Sequence, residues 1–400
     1  MDFSDTPAEA AYRARVAAFL DAHTADLPSY GGEEHERLAI ARRWQAIKAD
    51  NGYACITWSK EWGGAGGTAI EQVIFRQEEA KRGVPVAFFG IGLGLCLSTV
   101  IKYGAPAQRD AFVPRAIRGE EIWCQLFSEP AAGSDLAGIR TRAVREGDQW
   151  VINGQKVWTS GAHYCDYGLL ITRTDPNVPK HKGLTMFWVK LDTPGIEIRP
   201  IHQMSGGSEF NEVFFNDVRI DDSQRLGDIN EGWKVAIFAL MNERVEGGKE
   251  RGLTGEDTIA LARRTPFGAA TLADDGAFRA AFADWYVRAR GVQLTRYRAL
   301  TAMSRGQTPG PEASIGKLVL ANELQEMSRR LIDAQGPYGL IHDDKLSMLG
   351  ATVHHDLLHA GGIRIAGGTD EILRNIIAER VLGLPAEPRA DKDIPFSQSR

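Results

Sequence analysis

The chain is short of cysteine. Four thiols, Cys55, Cys96, Cys124 and Cys165, stand among 400 residues, and no two form a CxxC pair. That excludes a disulfide-stapled scaffold and makes a reducing compartment the expectation. Excess positive charge is also missing. Lys and Arg number 47 against 52 Asp and Glu, a net charge of −5, so there is no electrostatic case for nucleic-acid binding. No long apolar run exists either. The longest, Val86 to Ile101, is too short and too rich in Gly to span a bilayer. The first residues carry Asp2, Asp5 and Glu9 where a signal or transit peptide would be basic or apolar, so a cytoplasmic protein is expected.

What the chain does have is ordinary globular composition, 43% hydrophobic and 25% charged, and an excess of glycine, 43 residues. Glycine at that level points to many turns or to backbone that approaches a ligand closely. The length allows two or three domains at roughly 100–200 residues each.

Apolar residues recur at helical spacing over 7–23, 35–51, 69–81, 84–103 and 107–118. Near Glu120 the period changes. IWCQLFS is a short strand-type run, and residues 141–152 read as a hairpin turning at Glu146-Gly147-Asp148 and closed by Asn153-Gly154. Further strands are predicted over 167–172, 184–190, 196–200 and 212–220, roughly six in about 100 residues, as in a small antiparallel sandwich or barrel. Helical spacing returns over 233–245, 275–304, 313–334 and 346–359, and Thr369 or Asp370 caps a last helix to Arg380. Helices, then strands, then helices argue against a doubly wound sheet. The predicted fold is α+β and multidomain: a helical domain over 1–120, an antiparallel β-domain over 121–228, and a helical domain with a tail over 229–400.

Three motifs imitate binding sites. Gly90, Gly92 and Gly94 lack the third glycine and the βαβ context of a dinucleotide fingerprint; GGAGGT lacks the lysine of a phosphate loop. His355 and His359 sit one turn apart in HHDLLH, without the glutamate of a zinc helix or an obvious third ligand, so no metal is expected.

The segment 123–161 differs. WCQLFSEPAAGSD is a strand ending in a serine, an acid and a small-residue turn, and INGQKVWTSGA is a second strand ending in an indole and two hydroxyls. Together they present Ser128, Ser134, Trp158, Thr159 and Ser160 toward one spot. Hydroxyls and strand N–H groups suit the edge of a flat polar heterocycle, and an indole suits its face. A core tryptophan with solvated turns is the plainer alternative.

FSEPAAGSD and INGQKVWTSGA resemble the two central flavin motifs of the acyl-CoA dehydrogenase family. RTPFG, Arg264 to Gly268, is similar to that family's Arg-x-x-Phe-Gly element, and GGTDEILRNIIAERVLGLP to its C-terminal signature. The resemblance runs over roughly residues 35 to 385. It implies a helical N-domain, a central β-domain and a C-terminal four-helix bundle, with FAD as cofactor. It implies that the Phe127 backbone and the Ser128 hydroxyl meet the flavin pyrimidine edge, Trp158 packs on the ring, and Ser160 bonds near N5. Arg264 and Phe267 would reach the FAD of a neighbouring subunit, Thr369 and Glu371 would lie near that cofactor, and the pantetheine would pass Ser134 and Arg244. The implied reaction is α,β-dehydrogenation of an acyl-CoA, with an electron-transfer flavoprotein as acceptor and a homotetramer, or a heterotetramer with a related subunit, as assembly.

Such chemistry needs a base, and a desolvated carboxylate suits it because loss of water raises its pKa. Where the family commonly carries that base before the Gly-Thr of the signature, this chain has Gly367, which keeps only an N–H for the thioester oxygen. A second family arrangement, that of the isovaleryl-CoA and long-chain branches, places the base on an earlier helix, here ALMNERVEGG, at Glu243 beside Arg244. Ala236, Ala239 and Gly247 are expected to leave space on its flank. Pro266 replaces a hydroxyl often seen in RxxFG, and QGPYG matches the family's Gly-rich turn only loosely. These departures keep two alternatives open: a subunit of a heteromeric dehydrogenase lacking a complete site, or a flavin monooxygenase or non-redox eliminase of the same fold. The Gly90–Gly92–Gly94 run reads either as close packing or as room for a branched, cyclic or steroid-type acyl group.

Overall fold

The computed structural model describes residues 5–28, 32–246, 254–304, 310–343, 345–347, 351–386, 388, 391 and 393–398, the side chains of 243–246, 300, 303, 304 and 313 excepted. Helix α1 (Pro7–Thr24) opens on a capping box in which Thr6 and Glu9 satisfy each other's backbone N–H groups. After α2 (Glu34–Asp50), Thr68 and Glu71 repeat that device ahead of α3 (Ala69–Ala80). The helix expected from residue 84 begins only at Gly90, because Gly83 turns with φ +62° and Pro85 has no N–H to give. Its next stretch, Gly92–Leu97, is π-helical and runs into α4 (Ser98–Tyr103), followed by α5 (Pro106–Ile117).

Eight strands follow: β1 (Trp123–Leu126), β2 (Arg142–Glu146), β3 (Gln149–Ser160), β4 (Tyr167–Arg173), β5 (Leu184–Lys190), β6 (Ile196–Ile201), β7 (Phe210–Asp221) and β8 (Arg225–Leu226). They form one sheet ordered β6-β7-β3-β2-β4-β5-β8, with β1 beside β4. The sheet is antiparallel-rich, but β1 and β2 both run parallel to β4. Asn153-Gly154 does not close a hairpin. The strand continues through it with a register shift between Ile152 and Gly154. Asn153 Nδ2 donates to Asp217 Oδ1 at 2.9 Å, and Asp217 N–H returns to Asn153 Oδ1 at 3.0 Å, with Asp217 at φ +48°.

Strand alternation builds two apolar layers. Leu169, Ile171, Leu184 and Met186 pack with Leu95, Leu97 and Val100 and with Val235, Ala236 and Ala239 of α6 (Gly232–Glu246). Leu170, Phe187, Val189, Val213, Phe215 and Val218 form the other layer. Gly92 belongs to the first contact: a Cβ there would meet the Trp123 backbone N and O at 3.3 Å. The glycine serves close packing, and Ala236 and Ala239 are wholly buried core rather than flanking space. Gly247 lies outside the described residues.

The chain divides into two compact units. One holds residues 1–201, 209–247 and 389–400, so that α6 and the C-terminal segment join the N-terminal helices and the sheet. The other holds 202–208 and 248–388, with α7 (Gly255–Arg264), α8 (Gly276–Ser304), α9 (Ala313–Ala334), α10 (Thr352–Ile365) and α11 (Asp370–Arg380). In this second unit α9 packs beside α8, α10 and α11, around a core that includes Leu261, Phe278, Met327, Leu331 and Val353. Helix α10 starts at Thr352, six residues after the sequence expectation of 346. No described helix is long and apolar enough to cross a membrane.

Candidate active site

The two strand-end motifs meet. Val157 of β3 donates its N–H to the Ser128 carbonyl at 2.9 Å, which fixes the segment after β1 against the end of β3. Beneath them lies a buried ion pair. Lys156 Nζ is 2.8 Å from Glu129 Oε1 and donates to the Phe127 carbonyl at 3.0 Å. Glu129 also accepts the Arg140 N–H at 2.6 Å and the Thr141 N–H at 2.9 Å, so one carboxylate closes the whole FSEPAAGSD loop. Burial pushes the Glu129 carboxyl up, but the Lys156 charge and the three hydrogen bonds outweigh it and hold the group below its ordinary range. The same burial pulls the Lys156 ammonium down to about 8 against the pull of Glu129.

Trp158 is not a core tryptophan. A register shift between Lys156 and Thr159 leaves it at φ +60°, a conformation few residues other than glycine adopt, with its indole 58% exposed. Its only described ring neighbour is Phe210, edge-on at 6.1 Å. Thr159 points the other way and is buried, with Oγ1 unpartnered among the described residues. Its carbonyl accepts from Asn211 Nδ2 at 3.0 Å, and Asn211 Oδ1 lies 3.2 Å from His163 Nδ1. The other ring nitrogen of His163 lies 2.6 Å from Glu34 Oε1. Gly161 follows at φ +69°, where a Cβ would collide with the Tyr164 ring at 2.2–2.7 Å. Phe127, Ser128, Trp158 and Ser160 are thus gathered on one rigid edge of the sheet. An uncovered indole beside half-buried serines fits a flat polar ring such as a flavin. Ser134 lies further along the same loop, exposed.

The other sequence-selected residues lie elsewhere. Glu243 and Arg244 fall in the last turn of α6, one turn after the buried Ala239; their side chains lie outside the described residues. In the second unit, Gly367 and Gly368 take φ of +64° and +101°, which explains why 367 carries no side chain. Thr369 caps α11, its Oγ1 accepting the Ile372 N–H at 3.2 Å, and Glu371 is exposed in the first turn. Arg264 ends α7, and Phe267, 45% exposed, sits on a two-residue hairpin with Ala270–Thr271.

Sequence reasoning missed the residues that hold these loops. Charged side chains are expected on the surface, yet Lys156 is wholly buried and Asp370 nearly so. Asp370 accepts from Arg364 Nε at 2.8 Å and Asn322 Nδ2 at 3.1 Å, while Lys317 Nζ donates to the Gly368 and Arg364 carbonyls. Burial pushes Asp370 up, but these donors outweigh it and leave it below its ordinary range. The signal available was position: Glu129 and Lys156 lie inside the two motifs, and Asp370 directly follows the Gly-Gly-Thr turn.

An antiparallel-rich sheet with helices before and after it in the chain, and strand-end serines beside an exposed indole, define an α+β protein of helical and sheet domains. The chain belongs to the acyl-CoA dehydrogenase family. Its N-terminal domain matches over 6–120, its middle domain over 124–218 and its C-terminal domain over 230–382. It is 39% identical over 374 residues to "Acyl-CoA dehydrogenase IpdE1" of Mycolicibacterium smegmatis, covering 89% of this chain and 91% of that one. It is 36% identical over 386 residues to "Acyl-CoA dehydrogenase FadE34" of Mycobacterium tuberculosis, covering 94% of this chain but only 49% of that relative. The solved structure described as "Tcur3481-Tcur3483 steroid ACAD" superposes with a TM-score of 0.79 at 28% identity, covering 97% of this chain and all of that one.

Proposed function

We propose that this chain is an FAD-dependent dehydrogenase that converts an acyl-CoA thioester to its 2-enoyl-CoA, with a ring-bearing, steroid-type acyl group as substrate. The observation that carries the reading is the left-handed, uncovered Trp158 beside Ser160, tied to Ser128 through the Val157 N–H. FAD, when bound, supplies a hydride acceptor. Ser128 and the Phe127 backbone would hold the pyrimidine edge of the flavin, Trp158 would pack on its ring, and Ser160 would hydrogen-bond near N5. Arg264 and Phe267 would reach the pyrophosphate and adenine of a neighbouring subunit's FAD, Thr369 and Glu371 would lie near that same cofactor, and Ser134 and Arg244 would meet the pantetheine. Glu243 removes the α-proton, and the Gly367 N–H polarises the thioester oxygen, which makes that proton acidic enough to leave. The steroid-type acyl group rests on the solved relative at 28% identity and on a base carried by a helix rather than by position 367. The physiological acceptor is an electron-transfer flavoprotein.

A second reading is favoured by Phe267, exposed on its hairpin, and by Pro266 before it: the chain lacks a complete site, and the adenine end of the cofactor is completed by a related, non-identical subunit. Anaerobic bleaching of the flavin across straight, branched, cyclic and steroid-derived acyl-CoAs tests the first reading. A purified homomer that holds FAD only after a related chain is added supports the second.

A further inference from the structure

The C-terminal segment returns to the sheet. Phe396 donates its N–H to the Val178 carbonyl at 2.9 Å, Ser397 to that of Pro176 at 2.8 Å, and Pro395 bridges Pro179. Two cations beneath it face the loop that carries Ser134. Lys180, with only 12% of its side chain exposed, stands between Asp391 of the segment and Asp135, 2.8 Å away on the loop. Arg173, at the end of β4, lies 3.9 Å under the Phe396 ring. Its guanidinium donates to the Lys180 carbonyl at 2.7 Å and to the loop carbonyls of Ala137 and Ile139. Arg173 is 4% exposed, and a buried cation keeps its place only while its partners and cover hold.

The loop is therefore gripped twice. Glu129 and Lys156 fix its inner end, and Lys180 and Arg173 fix the stretch just after Ser134. The inner grip depends on the sheet alone, whereas the outer one depends on the C-terminal segment. Without Asp391, Lys180 keeps one carboxylate instead of two. Without Phe396, the Arg173 face opens to water.

We propose that Lys180 and Arg173 are positioning residues for the Ser134 loop, and that Asp391 and residues 393–398 act as the strap that keeps both in place and so sets the affinity for the CoA part of the substrate. The inference rests on the reading that pantetheine passes Ser134. It separates two functions of one motif: the flavin end is built into the sheet, and the CoA end is ordered by the strap.

The test uses full-length holoenzyme carrying Lys180→Ala, Asp391→Ala or Phe396→Ala, with Lys180→Arg as the conservative variant. An acyl-CoA that bleaches the wild-type flavin is the probe. Steady-state kinetics, flavin absorbance and amide exchange of residues 131–139 are measured. Lys180→Ala and Asp391→Ala should each raise KM roughly three- to tenfold, the scale of one or two partly exposed ion pairs. The kcat value should stay within about twofold, flavin content should not change, and exchange at 131–139 should quicken. Lys180→Arg should restore KM, and the Lys180→Ala/Asp391→Ala double variant should be no worse than Lys180→Ala alone. Quicker exchange with unchanged KM would overturn the proposal by reducing the strap to a support for structure. Unchanged exchange would overturn it outright. A wild-type protein that no acyl-CoA bleaches would instead defeat the functional reading, and exchange alone would then decide whether the strap orders the loop.

Discussion

Lys156 and Glu129 are locked 2.8 Å apart in the sheet interior, their side chains 0% and 5% exposed, and between them they tie both strand-end motifs into one edge. Breaking such a pair from one side strands a charge, which costs about 3–5 kcal/mol. Lys156→Met should therefore lower stability by about that amount and reduce flavin retention. Lys156→Met with Glu129→Leu should recover much of the stability but not the flavin, since the Arg140 and Thr141 N–H groups lose their acceptor. Urea unfolding and flavin absorbance of the purified variants decide the matter.

Ser160→Ala should leave unfolding unchanged and slow flavin reduction roughly two- to tenfold, the worth of a hydrogen bond of about 0.5–1.5 kcal/mol. Stopped-flow reduction with saturating acyl-CoA measures it. An unaltered rate and an unaltered flavin spectrum would remove Ser160 from the site.

Asp222 gives a pH dependence with a definite sign. Its carboxylate bonds Arg225 Nε at 3.0 Å and accepts the Trp150 indole N–H at 2.7 Å. The Arg225 bond, the largest influence, lowers its pKa to about 2 in spite of burial. A folded pKa below the ordinary 3.8 adds stability that is complete above about pH 4 and lost as the pH falls through about 2. Asp222→Asn should cost about 2 kcal/mol at neutral pH, and the gap to wild type should close toward pH 2 in acid-unfolding curves.

Gly92→Leu should destabilise by about 1–3 kcal/mol through overpacking against the Trp123 backbone. The loss of activity should be equal for thin and bulky acyl-CoAs. A selective loss on bulky substrates would return Gly92 to the acyl pocket.

Elements with a clean period were legible in the sequence: 184–190 and 313–334 match β5 and α9 at both ends. Local turn chemistry misled where tertiary contacts override it. Asn153-Gly154 carries the hairpin signal, but Asp217 across the sheet takes up the extra residue as a bulge. Residues 84–89 have helical spacing, yet the chain turns there after the left-handed Gly83, and α10 begins only at Thr352, behind the left-handed Ala351. The gathering of Ser128, Trp158 and Ser160 was readable because each lies at a strand end. The exposure of Trp158 was not, since it depends on the register shift against β7.

Anaerobic flavin bleaching by a steroid-type acyl-CoA, in wild type and in Glu243→Gln, tests the proposed dehydrogenation with Glu243 as base most directly. Wild type should bleach. Glu243→Gln should keep its yellow flavin and bleach slower by roughly 10²–10⁴-fold, the usual loss on removing a general base. A variant that bleaches as fast as wild type would contradict the assignment of the base, and a wild-type flavin left oxidised by every acyl-CoA would contradict the reaction itself.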